Sequence, residues 1–290
     1  MELRRTMLFM PGNNPGMLQT ADIFGADSVI FDLEDAVALS EKDSARYLIR
    51  QAMKTRDYGD TEVVIRINPL STPYALADID MMGRLKPDAI LLPKAVPEDM
   101  KFLDEALTKI EKEEGFEQGS IKIHALVETT MGVEKVFETI QMSPRCISVL
   151  LGGEDLAADL GVKRTYDSEE LSYARGRVVN ACKALKIDAI DTPFTDTNDY
   201  VGLAMDTAKA KMLGFTGKLA INPRQIDTIH TSFAPTAQEI RHATRVMEAK
   251  EEAEKNGLGV FSLDGKMVDL PIINRAIHTL NIARLTGLID

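Results

Sequence analysis

Cysteine is scarce in this chain: Cys146 and Cys182 are the two present, and their separation fits neither a C-x-x-C redox pair nor a zinc knuckle. No disulfide framework can be drawn from them, so two reduced thiols in a cytoplasmic protein are expected. Histidine is also sparse. Its four residues, at 124, 230, 242 and 278, are scattered, and no imidazole cluster favours zinc. Positive charge is the minority sign, with 34 Lys and Arg against 45 Asp and Glu, a formal net charge of −11. Such a field repels phosphate backbones and anionic lipid surfaces, making nucleic acid and membranes poor partners. An anionic substrate would therefore need a metal ion or a local arginine at its site. Long apolar runs are missing as well. None approaches transmembrane length, and the run that follows Arg4-Arg5 stops at Pro11, too soon for a signal peptide. No G-x-G-x-x-G follows the first strand-like run, which removes the usual mark of dinucleotide binding.

What is present is enough apolar material for a large core: 44% of the 290 residues are hydrophobic and 27% charged. Length alone admits two ordinary domains or one α/β barrel. Eight short runs rich in Val, Ile and Leu recur, at Thr6–Met10, Ser28–Asp32, Glu62–Ile67, Ala89–Leu92, Lys122–Val127, Ile147–Leu151, Ile187–Asp191 and Lys218–Ile221. A longer segment with helical spacing follows each. Lack of alternation within the runs suits strands covered on both faces, which predicts an α/β fold, a TIM-type (β/α)8 barrel, over residues 1–235. A doubly wound open sheet is the structural runner-up. Helix starts are predicted at Ser40 with Asp43, at Pro97, at Ser168-Glu-Glu and at Thr236-Ala-Gln-Glu. Residues 236–290 read as a C-terminal helical extension: a charged helix to Asn256, a Gly-rich hinge or linker from Gly257, and a last helix from about Pro271. Such an appendage serves as a lid or a subunit-exchange arm, or packs as a plain helix.

In a parallel barrel the active site lies at the carboxyl ends of the strands. Those ends are polar here: Asp32-Leu-Glu34-Asp35, Arg66-Ile-Asn68, Pro93-Lys94, Glu128-Thr-Thr, Gly152-Gly-Glu154-Asp155 and Asn222-Pro-Arg224. Glu128 and Asp155 stand at the tips of neighbouring strands and together suit one hard cation, Mg²⁺, which commonly takes one or two carboxylates. Singly, an acidic residue at a strand end also reads as a loop salt bridge or a helix cap, and Asp155 alone reads equally well either way. Arg66 is placed to hold a substrate carboxylate bidentately, with a plain surface charge as the bland alternative. Lys94 keeps a rival mechanism open, a Schiff base with a keto acid, which would need a desolvated lysine of lowered pKa. His124, inside a strand run, reads as a packed histidine rather than a ligand.

Several longer stretches carry a resemblance. They are Arg5-Thr-Met-Leu-Phe-Met-Pro-Gly12, Phe31-Asp-Leu-Glu-Asp-Ala-Val-Ala38 with Glu41-Lys-Asp-Ser-Ala-Arg46, Arg66-Ile-Asn68, Glu128-Thr and Gly153-Glu-Asp-Leu156. Gly214-Phe-Thr-Gly-Lys218, Ile221-Asn-Pro-Arg-Gln-Ile-Asp227 and Ser262-Leu-Asp-Gly-Lys-Met-Val-Asp269 follow in the same order. Nearly end to end, the chain resembles citrate lyase beta subunits, within the magnesium-dependent citrate lyase and malyl-CoA lyase group. The resemblance implies a TIM-type barrel, Mg²⁺ held by Glu128 and Asp155, substrate contacts from Arg66 and Glu128, and polarisation by the metal rather than by Lys94. It implies that Asp269 is the catalytic acid/base, delivered in relatives by a neighbouring subunit. It also implies a lyase that cleaves a citryl thioester to oxaloacetate and an acetyl thioester, in a cytoplasmic oligomer with a transferase (alpha) subunit and an acyl-carrier (gamma) subunit. A stand-alone malyl-CoA or citramalyl-CoA lyase is the near alternative, and a non-catalytic scaffold for an acyl carrier the distant one. Two departures, Gly153 and Thr129-Thr130 where many relatives carry Ala and Ser-Pro or Thr-Ala, are expected to tune the pocket while sparing the metal ligands.

Overall fold

The computed structural model describes residues 3–255 and 261–290. Eight parallel strands close into a barrel in the order β1 to β8: β1 (Thr6–Pro11), β2 (Ser28–Asp32), β3 (Glu62–Arg66), β4 (Ala89–Leu92), β5 (Lys122–Val127), β6 (Cys146–Leu151), β7 (Asp188–Asp191) and β8 (Gly217–Ala220). Between them run helices α1 (Pro15–Gln19), α2 (Lys42–Thr55), α3 (Ala75–Gly83), α4 (Pro97–Glu114), α5 (Thr130–Glu134), α6 (Val136–Gln141), α7 (Gly153–Asp159), α8 (Ser172–Leu185) and α9 (Tyr200–Leu213). α10 (Ile226–Phe233), α11 (Ala237–Lys255) and α12 (Leu270–Leu285) follow the last barrel strand. The (β/α)8 reading of the sequence is thus correct, and the open-sheet runner-up is set aside by the pairing of β1 with β8. No helix of the described residues is long and apolar enough to cross a membrane.

The alternation missing from the strand runs has a direct cause. Met7, Ile30, Val64, Leu91, Leu126, Leu150, Ile190 and Leu219 fill the barrel as one cluster. Their strand neighbours Leu8, Val29, Ile65, Ile90, Ala125, Val149, Ala189 and Ala220, facing the other way, are just as buried, beneath the helices. Both faces are dry, so both are apolar. At the amino ends of the strands a polar floor closes the barrel: Arg4 Nε donates to both Glu62 oxygens at 2.9 and 3.0 Å, Ser28 donates to Glu62, and His124 Nδ1 shares a 2.6 Å hydrogen bond with Ser148 Oγ. His124 is therefore packed, as its position inside a strand suggested. On the outer side of β7 and β8, four fully or nearly buried charges balance: Arg175 and Lys218 each donate to both Asp191 and Asp206, anchoring α8 and α9 to the barrel.

Helix starts follow the sequence signals unevenly. Pro97 occupies the first turn of α4, and Thr236 and Glu239 exchange reciprocal hydrogen bonds of 3.1 and 2.7 Å before α11, a complete capping box. Ser40, by contrast, caps nothing: a short 3₁₀ turn, Leu39–Glu41, leads into α2, and Asp43 turns instead to Arg46. Ser168 is likewise a left-handed residue (φ 52°) before a 3₁₀ turn rather than a cap.

The chain forms two compact units, Met1–His230 and Thr231–Asp290. Within the second, α11 and α12 share an apolar core of Ala243, Val246, Val268, Ile273, Ala276 and Leu280. The stretch expected to be a Gly-rich linker lies outside the described residues at 256–260. Its continuation is not a linker but a hairpin, with β9 (Phe261–Leu263) antiparallel to β10 (Lys266–Val268). Asp264 and Gly265, both at positive φ (50° and 75°), make its turn, the backbone that an Asp-Gly pair favours.

Candidate active site

Strand register brings the predicted residues of the barrel to one mouth. Asp32 ends β2 and Arg66 ends β3, and the two are paired across the ladder. Arg66 donates from Nε and Nη2 to the two Asp32 oxygens at 2.7 and 2.6 Å, a fork-to-fork pair almost out of solvent. Asp32 also accepts the amides of Glu34 and Ala36 at 2.8 and 3.0 Å, which fix its carboxylate from behind. The guanidinium lies 4.8 Å from the centre of the Phe9 ring, and its remaining nitrogen, Nη1, points to Glu34 Oε2 at 3.0 Å. Burial opposes the charge on Arg66, but the hydrogen bonds and charge of Asp32 outweigh it and hold the guanidinium protonated.

Glu128 follows β5 and is 1% exposed. Its Oε1 accepts the Lys94 amide at 2.9 Å, and its other oxygen lies over Gly152, where an added Cβ would sit 2.7 Å from it. Burial first, then the charges of Glu34 and Asp155, push its carboxyl up to about 8, with Arg66 offsetting part of the rise. Asp155, in the first turn of α7, is solvent-exposed and close enough for its charge to be felt at Glu128. Glu34 is also raised by burial. Its Oε2 is buried with no hydrogen bond, because the Arg66 approach is an ion pair at an angle that does not make one.

These observations test the fit of a metal ion. Buried Glu128 and Glu34 beside exposed Asp155, with one Glu34 oxygen making no hydrogen bond and Glu128 raised by the charges of the other two, make a donor set that a hard divalent cation would neutralise. No group of three or more His, Cys, Asp or Glu able to hold a metal occurs among the described residues. Two carboxylates with water and substrate oxygens completing the shell is the Mg²⁺ habit, so the set fits Mg²⁺ rather than zinc.

Lys94 does not meet the needs of a Schiff base. Its Nζ is 3.3 Å from Glu34 Oε1, its side chain is 43% exposed, and although burial works against its charge, Glu34 and Glu128 raise its pKa. A nucleophilic lysine requires the reverse. Asp269 belongs to the second unit, where it is the N-cap of α12 and accepts the Ile272 amide at 3.4 Å. Gly153, expected to tune the pocket, packs against Thr192. An added Cβ would meet Thr192 Oγ1 at 2.5 Å, and the bare glycine lets its own amide donate to that hydroxyl at 2.9 Å. The roles of Asp32 and Gly152 escaped the sequence reading. Register was the available signal for Asp32, whereas Gly152 had none.

A closed (β/α)8 barrel with a clamped arginine and buried carboxylates at the carboxyl ends of its strands defines a barrel enzyme built for an anionic substrate. Its sequence relatives narrow this class. The chain belongs to the HpcH/HpaI aldolase/citrate lyase family, whose model matches residues 5–223. It is 45% identical over 289 residues to the citrate lyase subunit beta of Leuconostoc mesenteroides subsp. cremoris, covering 99% of this chain and 96% of the relative. It is 32% identical over 291 residues to the mitochondrial citramalyl-CoA lyase of Rattus norvegicus, covering 97% of this chain and 86% of that one. Among solved structures, CitE from Mycobacterium tuberculosis, in complex with magnesium, acetoacetate and coenzyme A, superposes with a TM-score of 0.81 at 27% identity, over 97% of this chain and 98% of that one.

Proposed function

We propose that this chain is the beta subunit of a citrate lyase, a carbon–carbon lyase that cleaves a citryl thioester to oxaloacetate and an acetyl thioester with Mg²⁺. The observation that carries this reading is end-to-end identity of 45% to a citrate lyase beta subunit, against 32% to a citramalyl-CoA lyase. Glu128 and Asp155 are the residues assigned to the metal, and the magnesium in the M. tuberculosis CitE complex supports the choice of ion. When bound there, Mg²⁺ supplies Lewis-acid chemistry, lowering the pKa of a hydroxyl and accepting charge on a developing carbonyl.

The reaction is a retro-Claisen cleavage. The tertiary hydroxyl gives its proton to a carboxylate acting as base, Asp269 in this reading, the adjacent carbon–carbon bond breaks, the electron pair passes to the thioester enolate, and the carboxylic acid so formed returns the proton to the enolate carbon. Arg66 binds a carboxylate of the oxaloacetate half and offsets anionic charge near the breaking bond. Asp32 keeps that guanidinium in one orientation, so none of the binding energy is lost in ordering it. Glu128 contributes to substrate binding as well as to the metal. Asp269 is assigned the proton transfer to the enolate carbon.

In this reading the partners are a transferase (alpha) subunit and an acyl-carrier (gamma) subunit, in a cytoplasmic oligomer; two free, buried thiols suit a reducing compartment. The identity to citramalyl-CoA lyase favours a second reading, a stand-alone lyase acting on that thioester. The test is to assay the purified chain with Mg²⁺ on citryl-CoA, malyl-CoA and citramalyl-CoA side by side. Preferred cleavage of citryl-CoA, with release of oxaloacetate, is expected. A higher kcat/KM on either of the others replaces the proposal by the second reading, and no cleavage of any leaves a scaffold subunit.

A further inference from the structure

Lys94 touches two acidic side chains of the mouth, one through its backbone and one through its side chain. Its backbone amide donates to Glu128 Oε1 at 2.9 Å, and its ammonium lies 3.3 Å from Glu34 Oε1. The next amide, that of Ala95, donates to Leu126 O at 3.0 Å, so the turn after β4 is stitched to β5 at two successive nitrogens. This geometry goes with an uncommon backbone. Lys94 has φ 49°, a left-handed conformation that a residue with a Cβ adopts at a cost. Lys186, also left-handed at φ 59°, ends helix α8, where such a conformation is ordinary. Lys94 lies in the turn after a barrel strand, and no helix C-terminus accounts for its conformation.

Apart from that turn, Glu34 has the ion pair of its Oε2 with Arg66 Nη1 at 3.0 Å. The Lys94 amide is the hydrogen-bond donor found for Glu128, and Oε2 of Glu34 makes no hydrogen bond. We propose that Lys94 is a positioning residue: its amide aims Glu128 and its ammonium helps aim Glu34, so that one residue of the turn after β4 sets the relative orientation of carboxylates carried by the segments after β5 and after β2. The inference rests on the magnesium reading of the mouth given above. It assigns Lys94 no covalent step.

The sign of one measurement separates positioning from simple charge. Deleting a cation beside several carboxylates, if nothing moves, tightens the binding of another cation. Deleting a group that orients the ligands weakens it, by about 10–100-fold where outer contacts of a metal site are lost. The experiment is calorimetric titration of the full chain with MgCl₂, free of thioester, in wild type and in Lys94→Met, Lys94→Arg and Lys94→Gly, each checked by circular dichroism. We expect weaker Mg²⁺ binding in Lys94→Met and recovery in Lys94→Arg. Lys94→Gly keeps the amide, relieves the left-handed strain and lacks the ammonium, and it should weaken with Lys94→Met. Mg²⁺ binding that is unchanged or tighter in both Lys94→Met and Lys94→Gly overturns the proposal while leaving the function intact. A wild type that binds no Mg²⁺ overturns the magnesium reading itself, and this inference with it.

Discussion

Arg66 grips Asp32 across one rung of the barrel through two near-parallel hydrogen bonds of 2.7 and 2.6 Å. One edge of the guanidinium is thereby spent on Asp32, and Nη1 is ion-paired with Glu34 at 3.0 Å, so the group is fixed before any anion arrives. A planar fork held in this way approaches a carboxylate in a fixed orientation, which a lysine in its place could not do. The acidic partner thus makes the arginine directional.

Asp32→Asn should lower kcat by about 10²-fold, the cost of a reacting group misplaced by about 1 Å. The amide keeps the shape of the carboxylate but turns an NH₂ toward the guanidinium, so the fork opens while the barrel stays folded. Steady-state kinetics alongside thermal melts check this. Wild-type turnover in a folded variant would free Arg66 from any dependence on its partner.

Gly152→Ala is expected to weaken Mg²⁺ binding more than it harms the fold. The new methyl would lie 2.5 Å from Glu128 Cβ and 2.7 Å from Oε2, inside contact distance, so the carboxylate must swing away. Overpacking of this kind costs about 1–3 kcal/mol of stability. Loss of a ligand's orientation costs about 10–100-fold in metal affinity. Calorimetry with MgCl₂ reads the second effect directly, and an unaltered affinity would remove Glu128 from the site.

The barrel was legible because its strands are dry on both faces: runs such as Ala89–Leu92 and Ser28–Asp32 match the observed elements end for end. Polar residues one step past each run were legible for the same reason, since the fold leaves them a single mouth to occupy. Pairwise facts were not. That Asp32 and Arg66 share a rung follows from register, and that the Lys94 amide faces Glu128 follows from a left-handed turn; neither leaves a trace in composition or periodicity. The buried quartet Arg175, Asp191, Asp206 and Lys218 was hidden likewise, because charged residues in a sequence read as solvent-facing until their partners are known. The hairpin at Asp264-Gly265 was legible and was passed over in favour of a linker, the neighbouring glycines having outweighed a good turn signal.

Acid should destabilise the protein partly through Glu111. Burial alone would raise this carboxyl, but Arg145 hydrogen bonds and then the Ile121 and Gly119 amides hold it below the usual range. Its folded pKa thus lies below the unfolded value of about 4.3, so its contribution is complete above that value and is lost as pH falls through the folded pKa. Glu111→Gln leaves the nearly buried Arg145 to pair with Asp104 and should cost about 1–3 kcal/mol near neutral pH. Denaturant melts over a pH series should show the deficit shrinking in acid, as the wild type loses the same charge. A constant deficit would contradict the assignment.

Asp269→Asn separates two duties of one side chain. The carboxylate caps α12 by accepting the Ile272 amide, and asparagine caps a helix as well as aspartate does. The variant should therefore keep its thermal stability, whereas Asp269→Ala should lose about 1 kcal/mol. A proton donor is another matter, because an amide cannot replace a carboxylic acid: turnover of the thioester should fall by about 10²–10⁴-fold in both variants, the usual contribution of general acid–base catalysis. Mg²⁺ affinity, which depends on Glu128 and Asp155 in this reading, should stay the same. Unaltered turnover in Asp269→Asn, with lowered stability in Asp269→Ala, would leave Asp269 as a helix cap and send the search for the proton donor elsewhere.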